Sequence, residues 1–397
     1  VQGIFYILFG ISFLGLLHSY LLFPIALQIL AKGKKLQVNS FSLINTDSLP
    51  EVYILLAVYN EEKVLAQKIE STLTNTNYPL NKVKFIIGND ASTDATSAIL
   101  QQAQLTYPDQ LLVVEFPGRT GKSGIINHLA TLTPAHSILI LTDANVFFVV
   151  DTIYQLVKNF AEPKVGLVGG HILNPIIKKD GISLQEKSYL DLENRLKYNE
   201  GLLFGGMIGA FGGCYSIRKS IYRPVPPLFF MDDFYITMSA IRLGYQSIMQ
   251  TEATCIEDVS NITKEEYRRK VRISIGNWQN FKEFKGMLSP IWSAVGFSFL
   301  SHKVLRWFGP FFLLIMLASS IALVSAGVPV FLYGTLGLLG LFMSPLVDAL
   351  FKQAGIHLSV LRFFSHFTMM NLALLHGFAK YVRGVDSNIW QPTQRNQ

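Results

Sequence analysis

The sequence predicts an α/β protein, a doubly wound and mainly parallel sheet flanked by hydrophobic ends. Three observations predict it. From Glu51 to about Gly169, short apolar runs alternate with helix-length segments, the pattern of parallel strands joined by crossover helices. No Asp, Glu, Lys or Arg occurs from Val1 to Ala31 or from Phe308 to Val347. Each of the first four apolar runs ends at a polar cluster, and open α/β sheets bind ligands at the carboxyl ends of their strands.

Composition agrees. Of 397 residues, 50% are hydrophobic and only 15% charged, and the apolar excess lies at the two ends. That is the balance of a membrane protein carrying a soluble domain. A formal charge of +7 suits anionic substrates or an anionic leaflet and gives no reason to invoke nucleic acid. Cys214 and Cys255 make no disulfide framework and read as buried thiols in a reducing compartment. The chain opens on Val1 rather than Met, so residues before it are expected.

Taken in order, Ile4 to Leu30 is long enough to cross a bilayer, and Lys32, Lys34 and Lys35 place its far end in the cytoplasm. Ser40 to Leu49 reads as a linker. Val52–Val58 is the first strand, with Asn60 as cap of a helix starting at Glu61. Val83–Gly88 is the second, followed by a helix capped by Thr93 or Asp94. Leu111–Phe116 is the third, then a helix over Gly121–Ala130. Ser137–Thr142 is the fourth and Val165–Gly169 the fifth. Leu184 to Leu203 is amphipathic, and Glu265 to Phe281 is a basic helix.

Gly286 to His302, with Trp292, Phe297 and Phe299, suits an interfacial helix. Leu305–Ala326 and Val328–Leu350 are spans around a Gly327-Val328-Pro329 turn. Phe363 to Ala379 is shorter and holds His366, Asn371 and His376. If it crosses, there are four spans and both termini lie outside, with Lys380, Arg383 and Arg395 set against the positive-inside rule. So few intramembrane charges leave no independent solute path for a transporter. Three regions follow: 1–40, an N-terminal span and linker; 50–285, the α/β domain; and 286–397, the interfacial helix and C-terminal spans.

The strand-end clusters carry the chemistry. The first is Tyr59-Asn60-Glu61, and the second is Asn89-Asp90 with Ser92, Thr93 and Asp94. The third is Gly118-Arg119-Thr120-Gly121-Lys122-Ser123. It is no P-loop, because two residues separate its glycines where a P-loop needs four, yet Lys122 at a helix start can meet an anion. The fourth is Asp143-Ala144-Asn145, whose oxygens, two positions apart, could share a divalent cation. Downstream, Asp232-Asp233 precede a helix, Gly212-Gly213 interrupt an apolar loop, and Arg269 and Arg272 share a helix face. Each has a plain structural alternative: an Asx turn for Asp143 and Asn145, a capping pair for Asp232 and Asp233, a packing turn for the glycines, a lipid-facing surface for Arg268 and Lys270.

Together the set resembles the family 2 glycosyltransferases, inverting enzymes of GT-A fold that use nucleotide sugars. The resemblance covers roughly residues 50–284 and the membrane ends. It implies that Tyr59, Asn60, Glu61 and Asp90 hold the nucleoside and that the Lys122 segment closes over the nucleotide. Asp143 and Asn145 stand where the family's Asp-x-Asp motif carries Mg²⁺ or Mn²⁺, with Asn145 a neutral donor in place of an anion. Asp233 falls at the family's base, with Asp232 in support, and Gly212 and Gly213 at its acceptor segment. In the cellulose, chitin and hyaluronan synthases the basic helix carries Gln-x-x-Arg-Trp. Here it reads Arg269-Lys270-Val271-Arg272-Ile273, which keeps only the arginine for the leaving diphosphate, and Trp278 lies further on.

The resemblance thus implies a multi-pass enzyme of the inner (plasma) membrane with its catalytic domain in the cytoplasm. It would move a hexose from a nucleotide-sugar donor, UDP-linked, to a lipid-linked or polysaccharide acceptor in cell-envelope biosynthesis. The alternative is an inactive nucleotide-binding scaffold. His18, His366 and His376 read as interhelical hydrogen-bonding groups, and the glycosylation pattern Asn261-Ile262-Thr263 would go unused in the cytoplasm.

Overall fold

The computed structural model describes residues 2–174, 183–257 and 263–388. The chain divides into two compact units. One comprises Val1–Ile29, Lys178–Ser188 and Asn261–Gly384, the other Leu30–Ile177, Tyr189–Ser260 and Val385–Gln397. Asn261 and Arg395 lie outside the described residues.

The second unit holds the sheet. Its strands are β1 (Val52–Val58), β2 (Val83–Asn89), β3 (Leu111–Glu115), β4 (Ile138–Thr142), β5 (Val146–Phe148), β6 (Val165–Leu173), β7 (Cys214–Arg218) and β8 (Gln246–Glu257). They lie in the order β3-β2-β1-β4-β7-β6-β8-β5. The β3-β2-β1-β4 half is parallel, as expected. The register sets Val58 beside Asn89 and Asn89 beside Glu115, so the carboxyl ends of three strands finish level. Ile54, Leu55, Leu56, Ile140 and Leu139 are wholly enclosed, each worth about 1.5–3 kcal/mol of burial.

The other half is mixed. β7 runs antiparallel to both β4 and β6, and β5 antiparallel to β8, while β6 and β8 are parallel. β5 is only three residues long, and β7 and β8 mix polar residues among their apolar ones, so none reads as a strand-length uniform apolar run. β7 matters for the site: Cys214 pairs with Thr142, which brings the loop before β7 against the end of β4.

Two local readings are corrected. Asn60 does not cap a helix at Glu61: it takes a left-handed φ of 53°, and the helix starts at Leu65. Its side chain turns instead to the neighbouring strand-end loop. Cys214 and Cys255 are both buried but are joined in a disulfide rather than separate. They meet across β6, where Gly170 has no side chain and a Cβ would collide with Cys214 Sγ.

The first unit is helical. Gln2–Ala31 and Phe331–Gln353 are long and apolar enough to cross a membrane. Ala294–Trp307 and Gly309–Ser325 pass the same test together but bend by 62° at Phe308, which divides the stretch from Leu305 to Ala326 read as one span. Ser359–Arg383 carries Arg362, Lys380 and Arg383 and does not meet that test. Arg272 is exposed on the helix Thr263–Phe284 of this unit. On the same helix, Arg269 pairs with Glu266 at 2.8 Å and Glu186 at 3.4 Å, and His366 reaches Glu186 at 3.0 Å. Trp278 is buried among Phe281, Phe308, Phe311 and Phe378, a packing role.

Candidate active site

The β1 and β2 ends are laced together. Asn60 N donates to Ser92 Oγ at 3.0 Å, and Thr93 N donates to Asn60 Oδ1 at 2.8 Å. Glu61 N donates to Thr96 Oγ1 at 2.9 Å, and Glu62 N to Asp94 Oδ2 at 3.2 Å. Asp90 is fully buried and is claimed by the next loop. Arg119 Nε lies 3.0 Å from its Oδ2, Thr120 N 2.5 Å from Oδ1 and Gly121 N 3.2 Å from Oδ2. Gly121 takes a φ of 84°, open to glycine and strained for other residues, where the chain turns from this loop into the helix Lys122–Thr131. The Arg119 guanidinium covers the Tyr59 ring at 3.2 Å. Tyr59 and Asp90 are therefore neighbours, bridged by Arg119, and a base stacked on that face of Tyr59 would share or displace the guanidinium.

Lys122, the first residue of the helix Lys122–Thr131, stands at the centre of the acidic set. Its Nζ lies 2.7 Å from Asp143 Oδ1 and 3.6 Å from Asp232 Oδ2. Burial works against its charge, but Asp143, Asp232 and Asp233 outweigh burial and hold its pKa far above the usual lysine range. Asp232 is buried, and its Oδ2 has no hydrogen-bond partner. Asp233 follows at the start of the helix Asp232–Arg242, with its Oδ1 accepting from Phe234 N at 2.7 Å. Burial and the Asp232 charge raise the Asp233 pKa to about 6, against the pull of Lys122 and Lys197.

The glycine loop closes the other side. A Cβ on Gly212 would sit 3.1 Å from Asp233 Oδ2, and one on Gly213 would sit 3.7 Å from Asp143 Oδ2. At Gly212 the Asp233 carboxylate leaves only tight room for a side chain, and at Gly213 a Cβ would fall 2.6 Å from Val146 Cγ2, so glycine suits both positions. Asn145 is buried, and its Nδ2 donates to Glu257 Oε1 at 3.4 Å. Among the described residues no three of His, Cys, Asp or Glu gather as a metal cage. The oxygens present nonetheless suit a divalent cation: the Lys122 ammonium stands between Asp143 and an Asp232 oxygen that receives no hydrogen bond, so a positive centre belongs there.

Four contributors escaped the sequence reading. Lys197 is buried, lies 3.3 Å over the Phe211 ring and lowers the Asp233 pKa. Tyr215 is fully enclosed with no hydrogen-bond partner for its hydroxyl, and burial plus the three aspartates push its pKa well up. Asn388 donates to Phe229 O at 3.3 Å, just before Asp232. Lys68 is wholly buried, which draws its pKa down to about 7 despite Asp143. Only Lys68 left a trace in the sequence, as a lysine on the buried face of its helix with Leu65, Ile69 and Thr72.

Residues 53–225 match the family model described as glycosyl transferase family 2. This stretch is a family 2 glycosyltransferase domain. It takes in Tyr59, Asp90, Lys122, Asp143 and the Gly212-Gly213 loop, and it ends before Asp232. The glycosyltransferase domain has curated relatives. Over 123 residues the chain is 37% identical to a beta-monoglucosyldiacylglycerol synthase of Nostoc sp., covering 30% of this chain and 26% of that protein. Over 181 residues it is 28% identical to a poly-beta-1,6-N-acetyl-D-glucosamine synthase of Staphylococcus aureus, covering 44% of this chain and 41% of that one. The chain thus matches less than half the length of either. A mannosyltransferase from Pyrobaculum calidifontis, solved with GDP-Man and Mn²⁺, shares the fold. Its TM-score is 0.67 over 94% of this chain and 99% of that one, at 20% identity. The sheet is a GT-A fold.

Proposed function

We propose that the protein is an inverting glycosyltransferase of the inner membrane. It would be multi-pass, with residues 50–285 as a cytoplasmic catalytic domain and 286–397 as its C-terminal membrane region. It moves a hexose from a UDP-linked sugar to a membrane-associated acceptor, a lipid or a growing polysaccharide. The observation that carries this reading is Asp233: a carboxylate raised to about 6, next to Lys122, Asp143 and Asp232 at the carboxyl edge of a GT-A sheet.

The chemistry divides among these residues. Asp233 takes the proton of the acceptor hydroxyl as its oxygen attacks the anomeric carbon, and a base with a pKa near 6 is ionised at neutral pH yet still basic. Asp232 raises the basicity of Asp233 by like-charge repulsion. Tyr59, Asn60 and Glu61 hold the nucleoside, while Asp90, expected to join them, is enclosed and bonded to Arg119, Thr120 and Gly121, so that it fixes the loop beside them. Lys122 faces the donor diphosphate. Gly212 and Gly213 leave room for the acceptor beside Asp233. Asp143 and Asn145 would hold Mg²⁺ or Mn²⁺, which neutralises charge on the leaving diphosphate.

The two relatives support a membrane-associated acceptor: one is a synthase of a glycerolipid, the other of a polysaccharide. The test is a screen of labelled UDP-, GDP- and dTDP-sugars with protein in native membranes, with and without Mn²⁺. Transfer from a UDP-sugar is expected, and product length separates single addition from polymerisation. Nucleotide binding without transfer or hydrolysis of any donor would favour the scaffold instead.

A further inference from the structure

Against the two residues that bracket the Asp143–Asn145 turn lies a buried side chain that no role above uses. Lys68 belongs to the helix Leu65–Leu73, on the face it buries with Leu65, Ile69, Thr72 and Leu73. It is 0% exposed. Its ammonium donates to Thr142 Oγ1 at 2.9 Å and to Val146 O at 2.5 Å, and it lies 3.8 Å from the centre of the Phe148 ring. Thr142 is the last residue of β4 and Val146 the first of β5. One ammonium therefore ties together the two residues that bracket Asp143, Ala144 and Asn145.

The tie extends further. Thr142 Oγ1 donates onward to Gly213 O at 2.9 Å, in the loop that approaches Asp143 and, through Gly212, Asp233. A lysine is a costly way to fill a core. Burying an ammonium carries a penalty of several kcal/mol, whereas Met fills a similar volume with no charge to desolvate. What Met lacks is donors for a hydroxyl and a carbonyl 74 and 78 positions away in sequence. The ammonium has three protons, and the hydroxyl, the carbonyl and the ring face account for all three.

We propose that Lys68 is a positioning residue that braces the Asp143–Asn145 turn and fixes the spacing of its two ends for donor binding. The inference rests on the reading of that turn as the pole that meets the diphosphate and its cation. Outer-shell partners of this kind typically matter by 10–100-fold in metal affinity or activity.

The test compares wild type, Lys68→Met and Thr142→Val as full chains in nanodiscs, by three readouts. In both variants the amides of residues 143–146 should exchange faster while those of β1 and β2 keep their protection. Direct Mn²⁺ titration by electron paramagnetic resonance should weaken about tenfold in Lys68→Met, and less in Thr142→Val. At saturating donor, kcat should fall by a similar factor with the melting temperature unreduced. Unchanged exchange at 143–146 in a folded variant would overturn the proposal. So would a loss of protection spread evenly over the sheet, the mark of a general core defect. If Lys68→Met does not fold, Thr142→Val decides, since it keeps the lysine and breaks the chain at its middle, removing the hydroxyl that accepts from Lys68 and donates to Gly213 O. If the wild type neither transfers sugar nor binds Mn²⁺, the transferase reading fails, and the exchange readout still decides the brace.

Discussion

Asp233 stands under two opposing demands. Burial and Asp232 raise its pKa from 3.8 to about 6, so the folded protein holds that proton more tightly than the unfolded chain does. A raised carboxylate pKa means stability that declines as pH rises from about 4 to about 6 and stays reduced above it. Asp233→Asn removes the charge and keeps an oxygen for Phe234 N. It should stabilise the protein at pH 7.5 by about 1–3 kcal/mol while lowering turnover about 10²–10⁴-fold, measured by thermal melts and donor turnover on the same sample. As the base must be ionised, wild-type kcat/KM should fall as pH drops through about 6 and level off above it. Lys122 gives a second contrast. Lys122→Met frees Asp143 from its 2.7 Å partner, so Mn²⁺ should bind more tightly by titration. Transfer should nonetheless slow about tenfold or more, as the cation proposed to face the diphosphate is lost.

At the scale of elements, the glycine loop before β7 sets the clearance around both carboxylates. Gly212→Ala places a methyl against Asp233 Oδ2. It should deepen burial of the carboxylate, move the acid limb of the pH profile upward and lower kcat. Gly213→Ala drives its Cβ to 2.6 Å from Val146 Cγ2 and should cost about 1–3 kcal/mol in a melt, as overpacking does. The same elements show what was legible. β1 to β4 stand out in the sequence because strands enclosed on both faces are continuous apolar runs, and their ends carried Asp90, Lys122 and Asp143 with them. β7 and β8 were hidden because their pairing is long-range and polar residues interrupt their apolar ones. The disulfide was hidden with them, since Cys214 and Cys255 meet only through β6. Lys197 and Tyr215 were hidden because nothing local tells a buried side chain beside an acidic pair from an ordinary one. Asn60 misled because a strand-end Asn serves a loop as readily as a helix cap.

For the molecule as a whole, the distribution of charge is the organising fact. The charge-free ends became helices fit for a bilayer, Gln2–Ala31 and Phe331–Gln353, while the polar centre became a GT-A sheet whose acidic edge collects around one lysine. A protein so built should stay in the membrane pellet through alkaline carbonate extraction, and release under those conditions would contradict the spans. The central claim is that this edge performs sugar transfer with Asp233 as base. It is tested most directly by incubating membranes bearing wild type or Asp233→Asn with a labelled UDP-hexose and following label into lipid or polymer. The account predicts product from the wild type and at least about a hundredfold less from the variant at equal protein level. Equal product from both, or none from either with any donor, would contradict it.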